Sequence, residues 1–229
     1  LPDRQRIQLE SNRMSSSAES IRVMYPLFQA DQGGSIPTSP LQRLRKQDWT
    51  VSDVPLDVAF RLIVDNHYAK GASNTAVYLH GLYPAGWHWW NECVGVAWWI
   101  PPTRSAAEAW AGENWRGVLS LSRLAISSDV PANACSFLLG HSVRRIDRNK
   151  WHTLVTYADK WQNHSGAIYK AAGWEYCGET KPQKTYVLHG AMISRKAGPK
   201  TRTHSEMLAL GAECVGSFAK ARFCLRREG

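Results

Sequence analysis

Residues 118–176 read VLSLSRLAISSDVPANACSFLLGHSVRRIDRNKWHTLVTYADKWQNHSGAIYKAAGWEY, and the order of elements in this run sets the architecture. Alternating and β-branched residues predict strands over Val118–Ile126 and His152–Tyr157. Apolar residues at helical spacing predict a helix between them, over Cys135–Ile146. A short helix over Gly166–Ala172 follows, and then a further strand. A strand–helix–strand unit favours parallel pairing, and the active site of such a sheet lies at the strand ends.

The rest of the chain adds elements on both sides of this unit. Upstream, Asp53 is expected to cap a helix whose first turn holds Pro55 and which breaks at Gly71. The other predictions are strands over Thr75–Tyr83, Cys93–Ile100 and Tyr186–Ile193, a short helix or loop over Ser105–Trp115, and a helix near Ser205–Leu210. This order predicts an α/β domain with a mixed sheet flanked by helices.

Composition divides the chain into three expected segments. Residues 1–47 are polar and contain Ser15–Ser17, Gly33–Gly34, Pro37 and Pro40, which is typical of a partly flexible N-terminal extension. A globular domain is expected over residues 48–194, and a basic C-terminal tail over residues 195–229. The chain begins with Leu, so Met14 is a candidate for the natural start.

Charge gives the first indication of function. The formal net charge is +9, and residues 181–229 hold ten Lys or Arg against three Glu. Such an uneven basic distribution usually faces a polyanion, most often nucleic acid, although a merely solvated tail remains open. We therefore expect nucleic acid as the partner. The candidate contacts are Lys70, Arg195, Lys196, Lys200 and Arg202.

Other compartments and partners are less favoured by the sequence. No apolar run reaches the about 18 residues that a membrane span needs, and the first residues lack the apolar core of a secretory signal. The five cysteines are scattered without a CxxC motif, which favours reduced thiols in a cytoplasmic protein. The oligomeric state, including a dimer, stays open.

Four residues could carry chemistry. His67 follows a helix and could serve as a base or ligand, or simply end the helix. Asp159 follows a buried strand, where it could point into a cleft or cap the next turn. Tyr169 could donate a proton or pack its ring. Arg123 lies on a predicted central strand and is costly to bury without an anion, so it is an anion-site candidate.

A tryptophan-rich turn separates two of the predicted strands. It contains Trp87, Trp89 and Trp90. Exposed aromatic rings on a loop can stack on an unpaired base, while packing at an interface is the alternative.

Several short motifs occur together and in order. The run YxxxGW at Tyr169–Trp174 resembles the acceptor-side signature of the GNAT acyltransferase superfamily. A fuller set resembles the phage Mom family of DNA modification proteins and its prophage relatives. That set is NHY at Asn66–Tyr68, LSRL at Leu121–Leu124, YAD at Tyr157–Asp159, NHSG at Asn163–Gly166 and IYKAAGW at Ile168–Trp174.

The resemblance implies both a fold and a reaction. It implies a GNAT-like fold and conversion of adenine in DNA to N6-carbamoylmethyladenine, which protects phage DNA from restriction enzymes. His67, Tyr68, Asp159 and Tyr169 match the catalytic positions of the family, and Arg123 and Ser136 match positions proposed to hold the donor. An iron requirement is also implied, with His67 and Asp159 as plausible ligand types.

The expected donor loop departs from the usual GNAT pattern. Acetyltransferases of that superfamily wrap the donor pyrophosphate with a Gly-rich loop at a helix N-terminus. Here the segment from Ser128 to Ser136 contains no Gly, while Pro131 lacks an amide donor and Asp129 would repel phosphate. Acetyl-CoA and a glycine derivative therefore both remain candidates for the donor.

The resemblance suggests a mechanism and leaves two alternatives. The adenine must leave the base stack of double-stranded DNA, His67 or Asp159 would accept a proton from its amine, and Tyr169 would protonate the leaving group or orient the donor. The alternatives are a GNAT acyltransferase acting on a small amine or a protein, and a non-catalytic DNA-binding protein.

Overall fold

The computed structural model describes residues 43–86, 89–128, 130–196 and 200–227. Residues 1–42 of the expected N-terminal extension lie outside this range, as do Trp87 and Asp129.

A seven-stranded mixed sheet forms the centre of the described part. Its order is β1-β2-β3-β4-β5-β10-β6. Only the β4–β5 pair is parallel, and the other neighbours are antiparallel. The strands are β1 Trp49–Asp53, β2 Tyr78–Pro84, β3 Gly95–Ile100, β4 Val118–Ile126, β5 Thr153–Asp159, β6 Glu175–Glu179 and β10 Lys220–Arg226. The expected mixed α/β architecture is thus confirmed.

Helices cover both faces of this sheet. Helix α1 (Leu56–Asn66) packs on one face through Ile63 against Val96 and Trp98. Helix α2 (Arg104–Ala111) contributes to the same face. Helices α3 (Ala134–Arg145) and α4 (Ala167–Ala171) lie on the opposite face with Leu138, Trp99 and Phe223. We call these the α1 face and the α3 face. Trp98 and Trp99 are fully buried on opposite faces because strand side chains alternate.

A smaller sheet follows the main one. Its order is β8-β7-β9, from β7 Gln183–Leu188, β8 Ala191–Ile193 and β9 Glu213–Phe218, with helix α5 (His204–Ala209) beside it. The prediction of one strand over Tyr186–Ile193 is wrong, since a turn divides it. His189 and Gly190 have φ of 50° and 76° there, and such left-handed pairs form two-residue hairpin turns.

The C-terminal segment differs most from its expected form. The helix expected near Ser205–Leu210 is present as α5, but β9 and β10 were not predicted, and β10 is inserted between β5 and β6. Ala221, Phe223 and Cys224 are buried in the two faces of the sheet. Lys220, Arg222 and Arg226 are interspersed with these residues, so the segment resembles a solvent-exposed one and its strand pattern is hard to recognise in the sequence. The expected boundaries of the three segments otherwise stay predictions.

The expected cap of the first helix is also wrong. Asp53 is the last residue of β1, a strand that the sequence reading missed, and Pro55 occupies the cap position of α1. Pro131 lies before Asn133, the cap position of α3, so it is outside the helix. None of the described helices is both long and apolar enough to cross a bilayer.

Candidate active site

The two parallel strands separate at the centre of the main sheet. Their pairing runs from Val118–Thr153 to Leu121–Thr156, where the Thr156 hydroxyl donates to the Leu121 carbonyl at 3.2 Å. Both strands continue beyond this point without pairing to each other, β4 to Ile126 and β5 to Asp159. The separation creates an opening in the sheet at the strand ends, where the site was expected.

Asp159 is a buried carboxylate at this opening, with 4% of its surface exposed. One carboxylate oxygen accepts from the Tyr68 hydroxyl at 3.3 Å and lies 2.9 Å from Lys220 Nζ. The other accepts from the Trp161 backbone amide at 3.2 Å. Asp159 therefore caps the turn that follows, and its carboxylate also lines the cleft.

His67 and Tyr68 reach the same place from the end of α1. Their rings stack with centroids 4.4 Å apart. His67 Nδ1 accepts the Ala69 amide at 3.1 Å, so the neutral ring carries its proton on Nε2. Burial, and then the positive charge of Arg123, lower the pKa of His67 to about 3. The ring is therefore a neutral hydrogen-bond donor near neutral pH, and the expectation that it accepts a proton does not fit this tautomer.

Tyr68 connects the histidine to the carboxylate. Burial and the adjacent Asp159 raise the pKa of the Tyr68 hydroxyl, so it remains protonated and donates to Asp159. The ring of His164 meets Tyr68 edge-on at 5.8 Å. Burial also lowers the pKa of His164, although Asp159 opposes the shift. The cluster thus holds neutral donors around one carboxylate.

Arg123 lies on β4 across the opening from Asp159. Its Nε donates to the Gly71 carbonyl at 2.8 Å and one terminal nitrogen donates to the Ser122 carbonyl at 2.7 Å. No carboxylate of the described residues lies within ion-pair distance of it. The same nitrogen also lies 3.3 Å from the Ser122 hydroxyl, so neutral oxygens alone hold this half-buried cation, and its role as an anion site stays a prediction.

Tyr169 and Ser136 belong to the other face of the sheet. The Tyr169 ring packs against Phe223 and Trp174 with centroids 5.4 and 5.8 Å away. Burial raises the pKa of its hydroxyl, while the Thr156 hydroxyl opposes the rise. Ser136 lies exposed in the first turn of α3 and donates to the Asn133 carbonyl at 2.9 Å. The structure therefore separates Ser136 from Arg123, its expected partner in donor binding.

Side chains on the two faces of the sheet interact electrostatically at this opening. Arg123, Asp159 and Lys220 share the α1 face, since their strand neighbours Ala125 and Val155 pack there. Tyr169 approaches from the α3 face, and its hydroxyl still contributes to the raised pKa of Tyr68. The four predicted catalytic residues thus meet at one opening, three from one face and one from the other.

A cavity of about 600 Å³ extends from this cluster over the small sheet. Asp159 and Lys220 line one end, and Lys184, Arg195 and Lys196 line its wall. Two of the five predicted DNA contacts therefore lie beside the catalytic cluster. We call this space the basic cavity.

The other predicted DNA contacts are more dispersed. Lys200 and Arg202 line a smaller cavity of about 320 Å³ at α5, where Lys200 pairs with Glu206 at 2.8 Å. Arg195 joins the two regions, because its Nε donates to the Arg202 carbonyl at 2.6 Å. Lys70 follows Tyr68 in a left-handed conformation, and its ammonium group donates to the Asp65 carbonyl at 3.0 Å.

The described tryptophans of the β2–β3 turn lie at the same end of the sheet but farther away. Trp89 is 71% exposed, and Trp90 packs edge-on against Tyr83 at 6.0 Å. β2 is three strands from β5 in the sheet order. Nearer to Asp159 on the α1 face is an exposed Tyr157, which accepts from Trp110 Nε1 at 3.0 Å and pairs in register with Arg222.

Sequence reasoning missed two members of the cluster. Lys220 was counted as part of the tail, and its position opposite Asp159 depends on β10 pairing with β5. His164 lies in the quoted NHSG motif, so the motif itself could have pointed to it. The expected iron is not supported, since no third His, Cys, Asp or Glu of the described residues joins His67 and Asp159 at ligand spacing.

The first turn of α3 offers backbone amides for a donor. Asn133 does not cap the helix with its side chain, because its Oδ1 accepts the Leu44 amide at 2.7 Å instead. The Ala134 amide donates to the Pro131 carbonyl at 2.9 Å, while the next amides of the first turn have no intrahelical acceptor, and a helix N-terminus favours anions. Pro131 precedes this turn, so it removes none of these amides.

Solved acetyltransferase structures show similarity to this chain at low sequence identity. The ribosomal-protein-S18-alanine N-acetyltransferase from Escherichia coli is 12% identical, with a TM-score of 0.46, covering 79% of this chain and 95% of that one. A GNAT family acetyltransferase from Elizabethkingia anophelis with acetyl-CoA bound is 11% identical, with a TM-score of 0.47 and coverages of 79% and 99%. A Bacillus subtilis acetyltransferase in complex with CoA is 9% identical, with a TM-score of 0.48 and coverages of 79% and 98%.

No curated protein matches the chain significantly. The comparison with protein families gives a match over most of the chain. It covers residues 48–222, from the start of the main sheet into β10. This range includes every residue of the cluster around Asp159 and most of the basic cavity. On this match, the chain belongs to the Mom protein family.

Proposed function

We propose that this protein transfers a carbamoylmethyl group to the exocyclic amine of adenine in DNA. One observation carries the proposal: the His67–Tyr68–Asp159 cluster of a Mom family chain opens directly into a cavity lined by lysine and arginine. Modified phage DNA resists restriction enzymes, and that protection is the biological role we propose.

The basic cavity supports DNA as the acceptor rather than a small amine. Lys184, Arg195, Lys196 and Lys220 give it a strong positive potential, and its own acidic group, Asp159, is already paired with Lys220. Lys and Arg side chains hold the phosphate backbone and fix its register, so the cavity suits the strand that carries the target base. A free amine substrate is cationic near neutral pH and would be repelled there.

The target adenine must leave the duplex, because its amine is otherwise paired and stacked. Extrusion costs a few kcal/mol and requires a site that receives the base. The neutral donors His67 Nε2 and Tyr68 suit the acceptor nitrogens of a purine. The exposed Tyr157, beside Asp159 on β5, offers a stacking surface closer to the cluster than the tryptophan turn.

The chemistry forms a bond between adenine N6 and a carbon of the donor and breaks the bond from that carbon to a leaving group. N6 loses one proton, and Asp159 accepts it once the Tyr68 hydrogen bond shifts. Tyr169, which burial keeps protonated by raising its pKa, donates a hydrogen bond to the leaving group from the α3 face, and the leaving group departs as an anion. The opening between β4 and β5 is the passage through which donor and acceptor meet.

The donor enters this proposal by chemical class. The α3 N-terminus, with the Ser136 hydroxyl in its first turn, suits an anionic carrier group. Acetyl-CoA has such a group, and so does a glycine derivative bound to an anionic carrier. A carbamoylmethyl product favours the glycine derivative, because an acetyl group lacks the nitrogen.

The test is mass spectrometry of nucleosides from the DNA of cells that express the protein. We expect N6-carbamoyl-methyladenine with the unsubstituted chain and its loss with Asp159→Asn, because the substitution removes the carboxylate without changing shape. The matched control is Asp57→Asn on the exposed surface of α1, which should leave the yield unchanged.

Two results would contradict the proposal. Unmodified deoxyadenosine in cells that contain the folded, unsubstituted protein would exclude it, and so would equal modification with Asp159→Asn. Acetylation of a protein or polyamine in the same cells would favour the small-amine alternative instead.

A further inference from the structure

A second cluster of reactive side chains lies at the edge of the main sheet. Glu175 and Cys177 are two residues apart on the edge strand β6, so their side chains share a face. Cys224 on β10 pairs in register with Glu175 and points to the same face. Among the described residues, these three form the one group of His, Cys, Asp or Glu side chains whose ligand atoms all lie within 4.8 Å of one another.

The spacing of the three atoms matches a tetrahedral metal site. The two sulfur atoms lie 3.1 Å apart, and Cys224 Sγ lies 3.6 Å from Glu175 Oε2. Zinc–sulfur bonds of about 2.3 Å and zinc–oxygen bonds of about 2.1 Å place neighbouring ligand atoms about 3.5 to 3.8 Å apart. A shift of less than about 1 Å in the half-buried Cys177 side chain reaches this arrangement.

The surroundings favour a cation that binds sulfur. Cys224 is fully buried beside Val118 and Val155, with Trp110 and Trp115 packed against the same cluster. Paired thiolates with one carboxylate select a borderline-soft ion such as zinc over calcium or magnesium.

We propose that Glu175, Cys177 and Cys224 bind a divalent cation of the zinc type that fastens the edge strand β6 to β10. Binding releases the two thiol protons to solvent, and water completes the fourth position. Arg226 now pairs with Glu175 at 2.9 Å, but both side chains are more than half exposed, so this pair yields to the cation at little cost.

The site is separate from the cluster around Asp159. Cys224 pairs in register with Val155, which precedes Asp159 by four residues on β5, a distance of about 13 Å along an extended strand. Its effect on the proposed reaction is therefore indirect. β6 connects α4, which carries Tyr169, to β7, which lines the basic cavity. A metal ion that holds β6 against β10 therefore also holds α4 and β7 in place.

Cobalt(II) is the probe for the test, because thiolate ligands give it a near-ultraviolet charge-transfer band and a tetrahedral site gives it visible bands. The full chain is reduced, desalted and titrated with cobalt, and then with zinc. We expect both sets of bands at one cobalt per chain, and their loss when zinc is added. We also expect zinc to raise the thermal midpoint, as for any ligand of the native state.

The variants separate this site from other cysteines. Cys177→Ser should lose the charge-transfer band and the zinc-dependent rise, and Glu175→Gln should weaken binding; both positions are partly exposed, so both variants should fold. Cys214→Ser on the small sheet should keep both signals. Bands that persist in Cys177→Ser, or no bands in the unsubstituted reduced chain, would overturn the proposal. A disulfide linking Cys177 and Cys224 that forms in air, without cobalt bands after reduction, would also overturn it.

Discussion

The imidazole of His67 shows how a single hydrogen bond restricts a residue's chemistry. The backbone amide of Ala69 occupies Nδ1, and burial beside Arg123 keeps the ring neutral. A neutral imidazole with its proton on Nε2 can polarise an acceptor atom, as in other enzymes that use histidine as an electrophile. The NHY motif identified the histidine as a candidate, whereas the hydrogen bond from the Ala69 backbone amide decides which ring nitrogen carries the proton.

This role gives a prediction for substitutions at His67. His67→Gln retains a donor near the position of Nε2, so we expect modification of DNA to fall by about tenfold or less, whereas His67→Ala should lose about 100-fold or more. The rate should show no inflection from His67 between about pH 5 and pH 8, because its pKa is about 3. Single-turnover assays on an oligonucleotide, with nucleoside mass spectrometry, measure both. Equal losses in the two variants, or an inflection of the rate between about pH 5 and pH 8 that depends on His67, would show that His67 acts as a base.

At the scale of elements, the last residues of the chain hold the end of α3. The guanidinium of Arg227 donates to the carbonyls of Val143 and Ile146 at 3.2 and 3.1 Å, and also to Trp151. The final carbonyls of a helix lack their usual intrahelical partners, and the Val143 carbonyl otherwise accepts a long hydrogen bond from the Ile146 amide at 3.4 Å, so this arginine adds donors at the end of the helix. β10 therefore completes the sheet, and the residue after it caps the helix that carries Ser136.

We expect Arg227→Ala to reduce the free energy of unfolding by about 2 kcal/mol, because hydrogen bonds from a charged group to half-buried carbonyls are lost. The neighbouring Arg226→Ala removes one exposed ion pair and should cost about 0.5 kcal/mol or less. Urea unfolding followed by circular dichroism measures both. If the two variants lose the same amount, then Arg227 does not cap α3.

At the scale of the whole molecule, a buried polar network joins the sheet to α3. Trp99 Nε1 donates to Ser142 Oγ at 2.7 Å, and Ser142 Oγ lies 2.7 Å from His80 Nδ1. All three side chains are at most 1% exposed. Burial lowers the pKa of His80 to about 4, and Asp53 only partly opposes this.

This network predicts that the protein loses stability in mild acid. The unfolded chain binds a proton at His80 below its ordinary pKa of 6.5, while the folded chain does so only near 4. The contribution of neutral His80 to the free energy of unfolding is therefore fully present above pH 6.5. It falls as the pH drops towards 4, by about 2 kcal/mol at about pH 5. His67 adds a loss of the same sign, since its pKa is also lowered.

Urea unfolding at neutral pH and at about pH 5 tests the prediction. We expect His80→Gln to be less stable at neutral pH but to lose less between the two conditions. A fall as large as that of the unsubstituted chain would assign the acid sensitivity to other groups.

Local pattern was enough for the strand–helix–strand unit at residues 118–159. β4 was predicted with its observed bounds, and α3 and β5 within one residue at each end except for the end of β5, because their periodicity depends only on neighbours along the chain. The family motifs likewise identified His67, Tyr68, Asp159 and Tyr169, and the structure brings these together at one opening.

Contacts between distant parts of the chain account for the rest. The insertion of β10 beside β5, and with it the pairing of Lys220 with Asp159, joins residues about sixty positions apart, and no local signal in a basic segment reports it. The basic cavity depends on the same pairing, and the Glu175–Cys177–Cys224 group depends on the pairing of β10 with β6. Periodicity along a chain specifies which face of an element is apolar, whereas the strand that pairs with it is selected only when the whole core packs.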